Sequence, residues 1–196
     1  VVGADNETDQ DVILMADRHY KEFKLKRVYY SGYIPINTEE KALPAVGTAP
    51  PLLRENRLYQ SDWLMRFYGF EANEIVNNQH PNLDLEVDPK LSWALRNPEQ
   101  FPVDINKADY RMILRVPGIG VRSAKKIVSA RRFGKIHIDQ LKRMGVAYNR
   151  AQHFIRCADT PQFIKDLMPS QIRHQILQGG QSKYTSQLSP QLGLGF

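Results

Sequence analysis

The chain has 196 residues, 42% of them hydrophobic and 24% charged, with a formal net charge of +6; this is the make-up of a globular protein of one or two compact units. No run approaches the roughly 18 consecutive apolar residues of a membrane span, and the opening VVGADNETD lacks the charged and apolar regions of a secretory signal. A single cysteine, Cys157, excludes an internal disulfide, and the five scattered histidines leave no Cys/His group with metal-ligand spacing, so a reducing, cytoplasmic setting without a membrane partner is expected.

In chain order, VVGA (1–4) reads as a short buried strand. Asp5, Asn6, Thr8 and Asp9 then offer N-cap chemistry to a helix reaching about Phe23, with Val12, Ile13, Met15, Ala16 and Tyr20 on its apolar face. LKRVYYSGYIPI (25–36) reads as a second strand, β-branched and aromatic. Strand–helix–strand predicts a parallel crossover, and because a parallel sheet needs more strands and two covered faces, it also predicts a piece of a longer, truncated domain. Residues 37–51, with three prolines and no periodicity, read as a linker. Residues 52–103 read as a helical connecting region. Its first helix carries Leu53, Leu58, Trp63, Leu64, Phe67 and Tyr68 and ends at Gly69, and a short one begins with Pro89 after Asp88. Beyond Cys157 the reading is one helix at Ser170–Leu177 and a disordered Gly/Ser/Gln-rich tail from Gly179.

Charge is segregated along this order. From Lys107 to Arg156, thirteen lysines and arginines stand against Asp109 and Asp139 alone, a net +11, while the rest of the chain has 14 basic and 19 acidic residues, a net −5. One fifty-residue stretch therefore carries all the excess positive charge, which favours a polyanionic partner over a merely solvated face.

Within that stretch lies INKADYRMILRVPGIGVRSAKKIVSARR (105–132). Asn106 can cap a helix over Lys107–Arg115, with Ala108, Met112, Ile113 and Leu114 on its buried side. Val116-Pro117-Gly118-Ile119-Gly120 then allows a tight hairpin with Ile119 turned inward and two glycines open to an approaching phosphate. A second helix starts near Val121. Its Val121, Ala124, Ile127 and Val128 face inward; Arg122, Lys125, Lys126, Ser129 and Arg132 face outward. The first amides of that helix have no intrahelical acceptor and sit at its positive end, so they make an anion site to which the basic side chains add attraction. None of these groups reads a base edge, so sequence-independent, salt-dependent binding follows.

This segment resembles the helix-hairpin-helix motif of DNA polymerases, ligases, glycosylases and competence proteins, through Asn106, Ala108, Leu114, Pro117-Gly118-Ile119-Gly120, Ala124 and Ile127. The resemblance implies phosphate contacts from the amides of Gly118, Gly120, Arg122 and Ser123. It also implies a K⁺ or Na⁺ site at the carbonyls of Leu114, Val116 and Ile119. An internal repeat offset by 27 residues aligns Leu114 with Leu141, Gly118 with Gly145, Ile119 with Val146, Ala124 with Ala151, Ile127 with Phe154 and Val128 with Ile155. The second copy has Met144 for Pro117 and Ala147 for Gly120, and reads as the structural half of a tandem fold. The expected DNA-binding set is Pro117, Gly118, Ile119, Gly120, Arg122, Ser123, Lys125 and Lys126, with Lys142, Arg143 and Arg150 from the second copy.

A base-excision glycosylase is disfavoured. Arg122 stands where that family's catalytic lysine would be, and a guanidinium cannot act as an amine nucleophile. Asp139 reads as an N-cap instead of a catalytic acid. A longer resemblance, through VVGA, YKEFKLKRVYYSGYIPI, LLRENRLYQSDWLMRFYGF and DPKLSWALRNPEQFPVDINKA, covers residues 1–157. It is to the carboxy-terminal half of bacterial radical S-adenosylmethionine proteins described as DNA modification or repair enzymes. It implies that residues 1–36 end a partial (β/α) barrel and that Tyr29, Tyr30 and Ser31 lie toward its active face. It also implies a [4Fe–4S] cluster and S-adenosylmethionine in an amino-terminal half absent from this sequence, since one cysteine cannot supply the three thiolates such a cluster takes.

The expectation is thus a mostly α chain: a short βαβ barrel remnant (1–36), linker (37–51), helical connector (52–103), tandem helix-hairpin-helix domain (104–157) and a partly disordered tail (158–196). It grips DNA, has no cofactor or catalytic residue of its own, and belongs to a radical enzyme. A protein-docking segment and a structured-RNA binder are the alternatives.

Overall fold

The computed structural model describes residues 1–36, 42–160 and 167–184. The expected linker and tail thus fall partly outside the described residues, at 37–41, 161–166 and 185–196. The described residues are mostly helical, with one two-stranded sheet, and the chain divides into two compact units, Val1–Ala94 and Leu95–Phe196.

In the first unit, helix α1 (Asp9–Glu22) begins at Thr8, whose Oγ1 accepts from the Asp11 amide at 3.2 Å while the Asp11 carboxylate accepts from the Thr8 amide at 2.9 Å. Asp9 is not a cap. It is buried, paired with Arg54 Nε at 2.6 Å and accepting from the Leu83 amide at 2.8 Å. Ile13 and Ala16 form the buried face of α1, whereas Met15, expected there, is exposed.

The expected strand over 25–36 does not form; a single parallel bridge joins Val2 to Gly32, held by Val2 N–H to Ser31 O (2.7 Å) and Tyr33 N–H to Val2 O (2.9 Å). Its parallel sense agrees with a crossover through α1. With no further described strand beside it, the ladder has nothing along which to extend.

Helix α2 (Leu52–Tyr68) ends on Gly69 in the left-handed conformation (φ 68°). Its buried residues are Leu58, Ser61, Asp62 and Leu64, while Leu53, Trp63 and Phe67, among the apolar residues that the sequence places on this helix, are about half exposed. The polar anchor decides this rotation. Asp62 is 1% exposed, accepts from the Tyr20 hydroxyl and pairs with Arg66 at 3.2 Å, so the helix turns inward a side that a purely apolar reading would leave out. Burial and the Asp62 carboxylate push the Tyr20 phenol up to about 12. Tyr30 is buried edge-on against Tyr59, burial raising its phenol as well, and the Tyr59 hydroxyl bridges the Tyr30 backbone amide (3.0 Å) and carbonyl (2.9 Å). Helices α3 (Ala72–Ile75) and α4 (Pro89–Arg96) follow; in α4 the Asp88 carboxylate accepts from the Leu91 amide at 3.0 Å.

In the second unit, strands β1 (Val103–Asp104) and β2 (Ile155–Arg156) pair in parallel and bring together the two ends of the segment between them. Between them lie α5 (Tyr110–Arg115), α6 (Val121–Ala130), α7 (Ile138–Arg143) and α8 (Tyr148–Ala151). The core is Ile105, Ile113, Leu114, Val116, Ile119, Ala124, Ile127, Ile136, Leu141, Ala151, Phe154 and Ile155, each at most 3% exposed. Five of the six residue pairs matched by the 27-residue offset include two buried apolar members or two hairpin glycines. The sixth differs: Val128 is half-buried where Ile155 is buried. Helix α9 (Pro169–Tyr184) runs past Gly179, where the sequence predicted a disordered tail to begin.

Candidate nucleic-acid interface

Helix α5 is shorter than expected, and Asn106 does not cap it. Asp109 does, its Oδ1 accepting from the Met112 amide at 2.7 Å. Asn106 reaches 30 residues along the chain, accepting from the Ile136 amide (2.8 Å) and donating to the Ile136 carbonyl (3.3 Å). It thereby ties the entry of the first copy to the entry of the second. Asp139 is likewise not an N-cap: His137 caps α7, in a capping box with Gln140.

The hairpin Val116–Ile119 is a tight turn closed by Ile119 N–H to Val116 O at 3.2 Å, with Gly118 at φ 87°. Proline followed by a positive-φ glycine is the sequence of a type II turn. Leu114, Val116, Pro117 and Ile119 are buried, so Pro117 and Ile119 brace the turn and offer no side chain to solvent. At the end of α5 the Ile113 carbonyl accepts from the Val116 amide (3.2 Å), and the Val116 carbonyl in turn takes the Ile119 amide.

Gly118 does not clear space for a phosphate. A Cβ there would lie 2.6 Å from the Ala147 carbonyl oxygen, 3.1 Å from the Ala151 amide nitrogen and 3.3 Å from Arg150 Cβ, and the Gly118 carbonyl accepts from the Ala147 amide at 2.9 Å. It is where the first hairpin seats against α8. The second hairpin answers in kind: Gly145 has φ 86°, a Cβ on it would lie 3.6 Å from Ser123 Oγ, and that hydroxyl donates to the Met144 carbonyl at 3.1 Å. Gly118 faces Arg150, and Gly145 faces Ser123, each pair being the other shifted by 27 residues. This reciprocity is the mark of a twofold-related contact.

Gly120 sits at φ −93°, ψ 171°, ordinary extended backbone, and begins α6 without a side-chain cap. The amides of Val121, Arg122 and Ser123 thus point out of the helix start. Among the expected side chains, Arg122, Lys125 and Lys126 are exposed on α6 beside those amides. Ser123 is buried by its bond to Met144, so only its backbone is available. Lys142 and Arg143 are exposed on α7; Lys142 lies 3.9 Å from Asp139 and over the Tyr148 ring at 5.3 Å. Arg150 is half-buried, its stem against Gly118.

Ten of the thirteen basic residues of 107–156 are exposed. Of the other three, Arg131 has a structural task that sequence reasoning missed: its guanidinium donates to the carbonyls of Ala108 (2.5 Å) and Ile105 (3.2 Å), pinning the end of α6. His, Cys, Asp and Glu form no metal-holding group among the described residues, and no described helix is long and apolar enough to cross a membrane. The Cys157 thiol lies 3.1 Å from the Thr160 hydroxyl and 3.3 Å from the Asp159 carboxylate; burial raises its pKa, making it a poorer nucleophile.

No curated protein and no solved structure matches the chain. A family model described as a helix-hairpin-helix motif matches residues 99–153, the span from just before β1 to just before β2. Residues 99–153 therefore carry a helix-hairpin-helix motif, a motif associated with DNA binding that is not sequence-specific.

Proposed function

We propose that the second unit grips the backbone of duplex DNA at the start of α6, with the first copy as the grip and the second as its support. The observation that carries this reading is the uncapped α6 amino terminus behind Gly120, flanked by exposed Arg122, Lys125 and Lys126. Each phosphate neutralised contributes about −0.9 to the slope of log affinity against log salt, so three such contacts give a slope near −3. Anisotropy with unrelated duplexes across a salt series tests it: similar affinities with that slope support the reading, and salt-independent binding overturns it. A folded RNA binding more tightly at matched salt would transfer the same grip to RNA, because phosphate contacts do not see the 2′-hydroxyl.

The carbonyls of Leu114, Val116 and Ile119 would hold K⁺ or Na⁺, fixing the hairpin and adding positive charge beside the phosphate. Exchanging K⁺ for a bulky organic cation at constant ionic strength then weakens binding.

For the first unit, the parallel bridge through α1 supports the reading of a barrel segment belonging to a radical S-adenosylmethionine protein. The described residues around Cys157 do not fit an iron–sulfur cluster, so cluster and cofactor belong to another part of such a protein. The exposed Trp63–Phe67 pair, 5.3 Å apart and edge-on, favours a protein-docking role for α2.

A further inference from the structure

Beyond α6 the chain keeps a helical path. Arg131 remains helical (φ −63°, ψ −14°), and tight backbone bonds run from Arg132 N–H to Ser129 O (3.4 Å) and from Phe133 N–H to Ala130 O (3.0 Å). The outward stripe of Arg122, Lys126 and Ser129 therefore extends, at three- and four-residue spacing, to Phe133. Phe133 is 92% exposed, the most solvent-exposed large apolar side chain among the described residues.

A single exposed apolar residue is ordinary; this one has unusual surroundings. Its turn is held on both sides, by Arg131 bound to the Ile105 and Ala108 carbonyls and by buried Ile136 bound to Asn106. Only Arg132, Phe133, Gly134 and Lys135 project, all exposed, and a Cβ on Gly134 would meet nothing within 4 Å. Between Asp109 and Asp139 the sequence has eight basic residues and no acidic one. A rigid turn presenting an aromatic ring between two cations, with open space around it, suits a base whose flanking phosphates meet those cations.

We propose that Phe133 stacks on a nucleobase exposed where a duplex is interrupted, with Arg132 and Lys135 on the adjoining phosphates. The second unit would then recognise an interruption in DNA structure while remaining blind to sequence. This rests on the backbone-binding reading above. Eleven residues separate Arg122 from Phe133, a reach of about 16 Å at ~1.5 Å per residue. On that scale the stacked base lies about five duplex steps, at ~3.4 Å each, from the phosphate held at the α6 amino terminus.

The test compares an intact duplex with the same duplex carrying a one-nucleotide gap, by anisotropy at fixed salt with the full chain. The variants are Phe133→Ala and Phe133→Trp; at 92% exposure neither disturbs the core. The wild type is expected to prefer the gapped duplex by about 5- to 150-fold, the range of one base–aromatic stack. Phe133→Ala should lose that preference while keeping intact-duplex affinity and its salt slope. Phe133→Trp should keep the preference, with indole fluorescence changed only on the gapped duplex. Equal gap preference in wild type and Phe133→Ala, or no preference in the wild type, overturns the stacking proposal and leaves the backbone grip standing. Absence of binding to either duplex overturns both.

Discussion

The two hairpins share a skeleton and differ in the helix that each one starts. Both turn on a glycine in the same left-handed conformation, φ 87° at Gly118 and 86° at Gly145. Each presses on the start of the other copy's second helix. After the first hairpin comes a ten-residue α6, whose start is uncapped and flanked by cations; after the second comes a four-residue α8, whose leading Ala147 amide is spent on the Gly118 carbonyl. Neither start has a side-chain cap, but aligned peptide dipoles accumulate over the ten residues of α6 far more than over the four of α8. The turns differ as well. The second closes α7 with bonds from Gly145 N–H to Lys142 O (3.1 Å) and Val146 N–H to Leu141 O (3.1 Å), a helix C-cap, where the first uses Pro117 to leave α5 and re-enter α6. The two copies thus share an apolar skeleton and differ at the start of the second helix, the difference on which the proposed split between grip and support rests.

The largest expected effect breaks the seat between the copies. Gly118→Ala places a Cβ 2.6 Å from the Ala147 carbonyl at a positive φ, and should cost about 3 kcal/mol or more from overpacking and backbone strain together. Gly145→Ala meets only Ser123 Oγ at 3.6 Å and should cost about 1–2 kcal/mol, the backbone strain alone. Urea unfolding of both variants checks the asymmetry; equal losses would remove it.

A smaller effect is expected at Ser123→Ala, which strips the Met144 carbonyl of its hydroxyl donor and should cost about 1 kcal/mol. Because only its side chain is lost, DNA affinity should stay near wild type at temperatures where the variant is folded. Loss of affinity there would mean that the hydroxyl itself serves the site.

The smallest effect concerns His153, in the second copy. Burial lowers its pKa below 6.5, so the folded state prefers the neutral ring. The sign follows: between the folded and unfolded pKa values the unfolded chain binds more protons, so stability is complete above about pH 6.5 and declines as pH falls through that value. His153→Gln should flatten that decline in unfolding measured between pH 5 and 7.

The first hairpin was legible because its chemistry is local: proline, two glycines and a helix start lie within five residues, and the 27-residue offset then exposed the second. What stayed hidden depends on distant partners. Asn106 looked like a cap because the sequence places it before a helix; its partner, Ile136, is 30 residues away. Gly118 looked like a phosphate clearance because nothing local announces the Ala147 carbonyl against it. The outward turn of Trp63 follows from Asp62 being buried among Tyr20 and Arg66, a polar anchor that hydrophobic periodicity ranks as surface.

The most direct test of the division of labour is duplex-DNA anisotropy across a salt series with two charge-reversed variants, Lys125→Glu/Lys126→Glu on α6 and Lys142→Glu/Arg143→Glu on α7. All four residues are exposed, so both variants should fold, and the two change formal charge equally. The α6 variant should lose most of the affinity and lower the salt slope by about 2, while the α7 variant should lose only a few-fold. Equal losses would mean that the basic surface binds as a diffuse field, and that the start of α6 has no special part in holding the backbone.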